Sequence, residues 1–325
     1  MNSFGRKFRV SIFGESHGEM VGVTIDGCPP GVALSEQDLL PDLARRKSGA
    51  KGTTPRKEAD LPKIVSGVFN GHTTGAPITI LFENTNIRSG DYSELATVPR
   101  PGHADMVASQ KYKGFADYRG GGHFSGRITL GLVAAGVVAK KIVSGISFSS
   151  EIIELGGARD KNDFEAIIDS AMQAGDSVGG IIECRAEGVE AGLGEPFFDS
   201  AESLISHAVF SIPAIKGIEF GSGFAAARKK GSENNDTVLD AAGKTATNNS
   251  GGINGGITNG NEIVFRAAVK PTPSISIEQD SVNLKTGSPE KLTIKGRHDA
   301  CIALRVPVIL EAVTAIVLAD LALIR

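Results

Sequence analysis

Two histidines stand in loops bounded by glycine or proline, where a side chain that titrates near neutral pH can reach a ligand. His17 lies in the segment GESHG, directly after an apolar run. His103 follows Arg100 and a Pro-Gly turn and precedes Asp105 by two residues, a spacing that suits an oriented acid–base group beside an anion. These residues predict proton transfer at a charged ligand, although a plain turn with a hydrogen-bonded histidine gives the same pattern.

A basic stretch covers residues 45–57 and contains no acid. Closely spaced arginines can bind phosphate or carboxylate oxygens bidentately. The stretch therefore predicts an anion site, with a solvated basic loop or an RNA patch as the alternatives. Its six cations are Arg45, Arg46, Lys47, Lys51, Arg56 and Lys57.

Glycine-rich loops add a third kind of signal. Residues 117–127 read DYRGGGHFSGR and run into a predicted helix, which suits an anion cradle at the start of that helix. This loop matches neither a Walker A motif nor a Rossmann fingerprint. A second run covers residues 248–260, and KPTPS at 270–274 supplies a rigid cation. A further titrating cluster, RHD at 297–299, precedes the last helix. Together these loops predict one large anionic ligand or two ligands.

Composition limits the function classes. The chain has 325 residues, with 34 Lys and Arg against 37 Asp and Glu, and a net charge of −3. This balance argues against a general nucleic-acid or membrane-surface binder. Three widely spaced cysteines fit neither a disulfide framework nor a zinc site, so we expect them to be structural. The first residues lack the apolar core of a signal peptide, and the sequence predicts a cytoplasmic protein.

The chemistry-bearing loops alternate with predicted strands and helices. Strands are predicted near residues 64–69, 78–83 and 262–269, and helices at 35–47, 126–143, 163–174 and 200–211. Ser35 and Asp38 form a capping box for the first helix. Residues 221–256 are predicted to form a long functional loop. Residues 306–324 are apolar but contain two carboxylates, which favours a buried or oligomer-facing helix over a membrane span. One intertwined α/β (α+β) domain over residues 1–325 is expected.

Taken in order, these segments resemble the chorismate synthase family. The match runs from about Phe4 to the end of the chain. It includes FGESHG, RRKSGAKGTTPRKEAD, SGVFNGHTTGAPI, PRPGHAD, DYRGGG, SGGINGGITNG, KPTPS and GRHDACIALRVPV. The resemblance implies a β-α-β sandwich, assembled as a homotetramer.

The resemblance also implies the reaction. The family eliminates phosphate in a 1,4-anti sense from 5-enolpyruvylshikimate 3-phosphate to give chorismate, in the shikimate pathway of aromatic amino-acid biosynthesis. It needs reduced FMN although there is no net redox change. No extra reductase domain is expected, so reduced FMN is supplied from outside and NADPH is only an indirect source of reducing equivalents. No metal is expected.

Site residues follow by matching motifs. The resemblance implies that His17 governs protonation at the flavin and that His103 assists at the leaving phosphate. Asp299, with Ser16 and Ser125, helps to move the ring proton by way of the flavin. The implied substrate-binding residues are Arg46, Lys51, Arg100, Arg127 and Arg297, some of which could also hold a flavin or nicotinamide phosphate. The implied flavin-binding residues are His123, Phe124, Ser125, Ala214, Gly255, Lys270, Pro271, Thr272, Pro273, Ser274 and Arg297.

One segment departs from the usual family pattern. Many members read GGGRSSARET where this chain reads GGGHFSGRIT, so that His123 and Phe124 replace an arginine and a serine. Ser125 and Arg127 are retained. We expect the chemistry to persist with altered contacts at 123 and 124.

Two rival functions remain open. An FMN- or nicotinamide-dependent oxidoreductase acting on a phosphorylated substrate would use the same glycine loops and basic stretch. A non-enzymatic anion- or RNA-binding protein would explain residues 45–57 but would give His17, His103 and Asp299 no role.

Overall fold

Two antiparallel sheets enclose a layer of helices in this computed structural model, which describes residues 1–55, 58–86, 94–294 and 298–325. The first sheet has the strand order β1-β2-β3-β7-β4. Between β4 and β7 the chain forms the small hairpin β5–β6. The bounds are β1 Ser3–Phe4, β2 Arg9–Gly14, β3 Met20–Asp26, β4 Lys63–Ser66, β5 Val68–Phe69, β6 His72–Thr73 and β7 Ile78–Glu83.

The second sheet has the order β10-β13-β9-β8. Two hairpins, β11–β12 and β14–β15, lie outside it. The bounds are β8 Ser147–Leu155, β9 Gly180–Glu187, β10 Ile215–Phe220, β11 Ile253–Asn254, β12 Ile257–Thr258, β13 Ile263–Val269, β14 Gln279–Val282 and β15 Pro289–Leu292.

The helices connect and separate these sheets. Short 3-10 turns at Arg119–Phe124, Gly126–Ile128 and Ile302–Arg305 lead into the regions that carry the predicted chemistry. The α-helices are α1 Glu36–Arg46, α2 Asp105–Lys111, α3 Thr129–Ile142, α4 Phe164–Ala174, α5 Ala201–Phe210, α6 Gly231–Asn234 and α7 Pro307–Ile324.

Helices α3 and α7 form the middle of the sandwich. Helix α3 packs on β2, β3 and β7 of the first sheet, whereas α7 packs on β8 and β9 of the second, and the two helices contact each other. Both are apolar nearly all round, as expected for helices covered on every side. The predicted β-α-β sandwich is confirmed.

Helix α7 is long and apolar enough to cross a membrane by length and composition, but 78% of it is buried inside the molecule. Its two carboxylates both have partners. Glu311 binds Arg45 at 2.6 Å, and Asp320 accepts hydrogen bonds from backbone N–H groups of residues 6–8. The prediction of a buried helix is therefore confirmed.

Local chemistry explains where the predicted elements begin and end. The carboxylate of Asp38 accepts hydrogen bonds from the backbone N–H and the hydroxyl of Ser35, so α1 begins after Ser35 as predicted.

Two other predicted elements differ from the structure. The predicted strand at 64–69 is interrupted at Gly67. This residue has φ +79°, and a Cβ there would lie 2.7 Å from the Cα of Ile78. The predicted helix at 126–143 begins with a 3-10 turn and becomes α-helical only at Thr129.

Gly136 lies where α3 and α7 are in close contact. A Cβ at this position would lie 2.3 Å from the Cβ and 2.5 Å from the Cα of Ala312. We expect Gly136→Ala to lower the free energy of unfolding by about 1–3 kcal/mol, because overpacking outweighs the gain in helix propensity of at most about 1 kcal/mol. Urea titration measures the change.

Gly145→Ala provides the matched control, because a Cβ there meets nothing within 4 Å. Its free energy of unfolding should stay within about 0.5 kcal/mol of the parent value. Equal stability of the two variants would contradict the close helix contact.

Candidate active site

Two cavities share a wall beside the sandwich. The larger has a volume of about 630 Å³ and the smaller about 150 Å³. The larger cavity is lined by β1, the 3-10 turn that precedes α3, the end of α5 and the KPTPS turn. The smaller is lined by residues near the end of α1, the 58–60 segment and residues 298–305. The shared lining residues are Arg100, Gly120, Ser125, Gly126, Thr272 and Ile302.

The glycine run at 120–122 brings the two predicted histidines together. All three glycines have positive φ, at 58°, 80° and 53°. A Cβ on Gly120 would lie 2.5 Å from the ring of His17, and one on Gly121 would lie 3.4 Å from the ring of His103. Because only glycine combines this backbone with this closeness, the run lets both imidazoles approach one stretch of backbone.

His103 belongs to a buried hydrogen-bond network. Its Nδ1 lies 2.6 Å from the carboxylate of Asp105, which also accepts hydrogen bonds at 2.7 Å from Nε and Nη2 of Arg100. Burial alone would raise the pKa of Asp105, but hydrogen bonds from Arg100 and His103 outweigh it and hold that pKa far below its usual range. The ionised carboxylate orients the imidazole, as its spacing in the sequence predicts.

A second network places two buried arginines around one carboxylate. Asp60 lies 2.8 Å from Nη1 of Arg127 and 3.4 Å from Nη2 of Arg46. Arg127 also donates through Nε to the side chain of Asn84, and through Nη2 to a backbone carbonyl at 3.1 Å. These contacts hold both guanidinium groups against the smaller cavity.

The positive charge of this cluster exceeds what Asp60 can balance. Burial, with repulsion from Arg305 and Arg127, lowers the pKa of Arg46 to about 9 despite the opposing effect of Asp60. Arg46 is still cationic at neutral pH. Its Nε is buried and has no hydrogen-bond partner among the described residues. An anion in the cavity would supply the missing acceptor and the missing charge.

Asp299, Ser16 and Ser125 line the smaller cavity together. The Asp299 carboxylate accepts a hydrogen bond at 2.9 Å from the backbone N–H of Thr54 and lies 3.4 Å from Nη1 of Arg305. The backbone N–H of Ser16 donates to the carbonyl of residue 122 at 3.0 Å, which ties the GESHG loop to the glycine run. The predicted site residue Arg297 lies outside the described residues.

The larger cavity has a strained wall and a cationic rim. Ala214 adopts φ +74°, which is unusual for a residue with a Cβ and which clusters at functional sites. Lys216 and Lys270 both line the cavity, and burial followed by repulsion from Lys216 lowers the pKa of Lys270. The buried hydroxyl of Thr272, on the wall between the cavities, has no hydrogen-bond partner in the described parts of the chain. Pro273 and Ser274 also line this cavity, and Ser274 accepts a hydrogen bond from Arg100 at 2.9 Å.

The two unusual residues of the glycine loop face the larger cavity. His123 lies 2.8 Å through Nδ1 from the carbonyl of Gly14 and 3.2 Å through Nε2 from the side-chain oxygen of Asn2. Phe124 is partly exposed, and its ring lies 6.3 Å from that of Tyr112. The pair therefore offers an imidazole and an aromatic face to a ligand.

Four of the predicted residues that the structure describes line neither cavity. His17 is buried and packs its ring against Gly120. Lys51 is exposed and binds Glu165 and Asp169 on α4, each at 2.8 Å. Gly255 occupies the exposed turn of the β11–β12 hairpin, and Pro271 is exposed and lines neither cavity. The three cysteines are buried and free, and burial raises the pKa of Cys184 to about 12. Their structural assignment agrees with this.

Comparison with known proteins places the chain among its relatives. The chorismate synthase family model matches residues 8–323. The chain belongs to the chorismate synthase family. A chorismate synthase of Chitinophaga pinensis is 67% identical, over 100% of this chain and 97% of the relative. One from Dehalococcoides mccartyi is 47% identical, over 99% and 96%. A crystal structure of chorismate synthase matches with a TM-score of 0.74 at 29% identity, covering 98% of this chain and 92% of that one.

Family membership makes the chain an enzyme, a carbon–oxygen lyase. The contacts in the structure reveal three residues that the sequence patterns did not predict. Asp60 accepts hydrogen bonds from two buried arginines. Its only signal in the sequence is its position three residues after the basic stretch. Arg305 is a lone cation in the apolar segment CIALRVPV, which is a signal of a buried charge. Asn2 carried no signal in the sequence.

The low pKa of Asp105 predicts a pH-dependent contribution to stability. Because the folded-state pKa is depressed, the contribution is complete above the unfolded value of about 3.9 and is lost as pH falls toward the folded value. At pH 7, Asp105→Asn should lower the free energy of unfolding by about 3–5 kcal/mol. At pH 3 the difference in free energy of unfolding between the parent protein and Asp105→Asn should be smaller by about 1 kcal/mol. Urea titration at pH 7 and at pH 3 measures it.

Asp280→Asn is the control, since Asp280 is an exposed partner of Lys291. It should show a small effect that hardly changes between pH 7 and pH 3. If Asp105→Asn lowers the free energy of unfolding equally at pH 7 and at pH 3, the carboxylate is not held ionised by its partners.

Proposed function

We propose that the protein converts 5-enolpyruvylshikimate 3-phosphate to chorismate by 1,4-anti elimination of phosphate, with reduced FMN and no net redox change, in the shikimate pathway. One observation carries the proposal. A large, partly apolar cavity and a small arginine-lined cavity share a wall, and the glycine run beside His17 and His103 forms part of that wall. Two adjacent anionic ligands fit this arrangement better than one.

The larger cavity suits a flavin. Its volume of about 630 Å³ is typical of small-molecule sites, which range over roughly 300–1,000 Å³. Ile12 and Leu132 supply apolar surface, Thr272 supplies an unsatisfied hydroxyl, and the lysines at 216 and 270 supply charge for a phosphate. Of the predicted flavin residues, His123, Phe124, Ser125, Ala214, Lys270, Thr272, Pro273 and Ser274 line it. Reduced FMN supplies an electron-rich ring that stabilises electron deficiency as the phosphate departs.

The substrate carries a phosphate and two carboxylates, and the arginine cluster binds these groups. Arg46 and Arg127 are held by Asp60, so their donors are in place before the ligand arrives. Arg100 reaches both cavities and belongs to the Asp105 network. Such preorganised cations stabilise the charge that develops on the leaving phosphate. Arg297 remains a predicted fourth contact.

Proton transfer falls to the histidines and to Asp299. His103, oriented by Asp105, assists as the phosphate leaves. His17, whose ring packs against Gly120 of the shared wall, governs protonation at the flavin. Asp299, with Ser16 and Ser125 beside it in the smaller cavity, helps to move the ring proton.

We further propose that reduced FMN comes from an external reductase, with NADPH acting only indirectly, and that the protein is a cytoplasmic homotetramer. Free buried cysteines support a reducing compartment. Exposed aromatic side chains such as Phe197, Phe198 and Phe224 support association of subunits. A hydrophobic cluster that spans both sheets supports one catalytic domain over residues 1–325.

The deciding experiment is anaerobic release of phosphate from 5-enolpyruvylshikimate 3-phosphate. It is run without flavin, with oxidised FMN and with chemically reduced FMN. We expect release only with reduced FMN, with chorismate as product and many turnovers per flavin.

Consumption of reduced FMN in proportion to product would favour the oxidoreductase alternative. Absence of phosphate release from folded protein under all three conditions would overturn the proposed elimination.

Arg46 and Lys51 were both predicted to bind the substrate, but only Arg46 lines the smaller cavity, so their substitutions should affect substrate affinity differently. Arg46→Met should weaken substrate binding by roughly 10–150-fold, because a hydrogen bond to a charged group contributes about 1.5–3 kcal/mol. Lys51→Met should change binding less than about 2-fold, because its exposed ion pairs contribute little. Titration of each variant with substrate measures the dissociation constants. Equal losses would place Lys51 in the substrate site after all.

A further inference from the structure

Asp320 is a buried carboxylate that the proposed chemistry does not use. It lies near the end of α7 and is 3% exposed. It accepts hydrogen bonds from the backbone N–H groups of Arg6 at 3.0 Å, Lys7 at 2.6 Å and Phe8 at 2.8 Å. Three successive N–H groups thus converge on one anion, as in backbone anion nests. The side chain of Arg6 turns away from Asp320 and binds Asp199 at the surface.

The segment held in this way continues into a wall of the larger cavity. Asn2, Ser3 and Phe4 line that cavity. The carbonyl of Asn2 accepts a hydrogen bond at 2.9 Å from the backbone N–H of Ile12, and the ring of Phe4 meets that of His207 edge-on at 5.3 Å. The Asn2 side chain also lies against His123, one of the two residues that depart from the usual family pattern.

The segment is therefore attached at two places. Asp320 holds residues 6–8, and β2 and His123 hold residues 2–4. Gly5 separates the two attachments with φ +93°, and a Cβ there would lie 2.0 Å from the carbonyl oxygen of Phe8. Because the turn at Gly5 is tight, the position of residues 6–8 determines where residues 2–4 lie in the cavity wall.

We propose that Asp320 is a positioning residue for the flavin site, which couples FMN binding to the docking of residues 2–8. This inference rests on the proposed function, because it takes the larger cavity as the site of FMN. Charge-assisted hydrogen bonds are about twice as strong as neutral ones, so the ionised carboxylate favours the docked segment. Without it, a smaller fraction of molecules has a complete cavity wall.

Linkage fixes the sign of the coupling. The apparent affinity for a ligand falls in proportion to the fraction of molecules whose site is complete. In return, the ligand must stabilise the docked segment by the same factor. FMN should therefore protect residues 2–8, and loss of the Asp320 charge should weaken FMN binding.

The test uses oxidised FMN as the probe and two measurements on the full chain. Fluorescence titration gives the FMN dissociation constant, and mass spectrometry follows trypsin cleavage after Arg6 and Lys7. Asp320→Asn should weaken FMN binding by roughly 10-fold, the loss expected if only about a tenth of the molecules keep a complete wall. FMN should slow cleavage of the parent protein, and the variant should be cleaved faster than the parent.

Asp199→Asn is the matched control, because Asp199 binds the same residue, Arg6, through its exposed side chain. It should leave the FMN dissociation constant within about 2-fold of the parent value, since exposed ion pairs contribute little. Asn2→Leu removes the side-chain contact with His123 at the other end of the segment without changing α7. It should also weaken FMN binding, and it carries the test if Asp320→Asn does not fold.

The outcomes separate this inference from the proposed function. If the parent protein does not bind FMN, the proposed function fails. If the parent binds FMN but neither Asp320→Asn nor Asn2→Leu weakens it beyond 2-fold, the positioning role is overturned. A fall in melting temperature for Asp320→Asn with an unchanged FMN dissociation constant would reduce Asp320 to a purely structural residue.

Discussion

The carboxylate of Asp60, shared between Arg46 and Arg127, is the interaction on which the rest of the site depends. Both guanidinium groups are nearly inaccessible to solvent, and an uncompensated charge in such a position costs several kcal/mol. Asp60 reaches them from a backbone with φ +51°, a conformation that is unusual for an aspartate and stores strain. Stabilisation of two buried cations offsets the free-energy cost of this backbone strain. The compensation is incomplete, because the buried Nε of Arg46 has no hydrogen-bond partner among the described residues, and the cavity retains an attraction for anions.

The sandwich supplies the rigidity that such a cluster needs. Arg46 is the last residue of α1, Arg127 lies in the turn before α3, and Arg305 lies in the turn before α7. The ends of three packed helices thus position the three guanidinium groups at the smaller cavity. Because those helices are fixed by the core between the sheets, the distances between the cations are set by packing rather than by loop conformation. The glycine loops then complete the site where backbone must approach a ligand closely.

The sequence predicted best where local chemistry decides the structure. The Ser35–Asp38 capping box located α1, and the Arg100-Pro-Gly-His-Ala-Asp spacing predicted the orienting carboxylate beside His103. It failed where the partner comes from a distant part of the chain. Lys51 belongs to the same basic stretch as Arg46, but α4 supplies two acids that hold it at the surface. Asp60, Arg305 and Asn2 acquire their roles only through contacts that no spacing in the sequence encodes.

The position of α7 in the chain has a consequence for biosynthesis. Both sheets are complete in sequence by residue 269, whereas the helix that covers the second sheet begins at residue 307. Since translation proceeds from the first residue to the last, the inner face of the second sheet emerges before α7 exists. During that interval Cys184 of β9, which is fully buried in the finished protein, lacks its neighbour Thr314 of α7. The nascent chain therefore exposes apolar surface until α7 has been synthesised, and it is prone to aggregation during that interval.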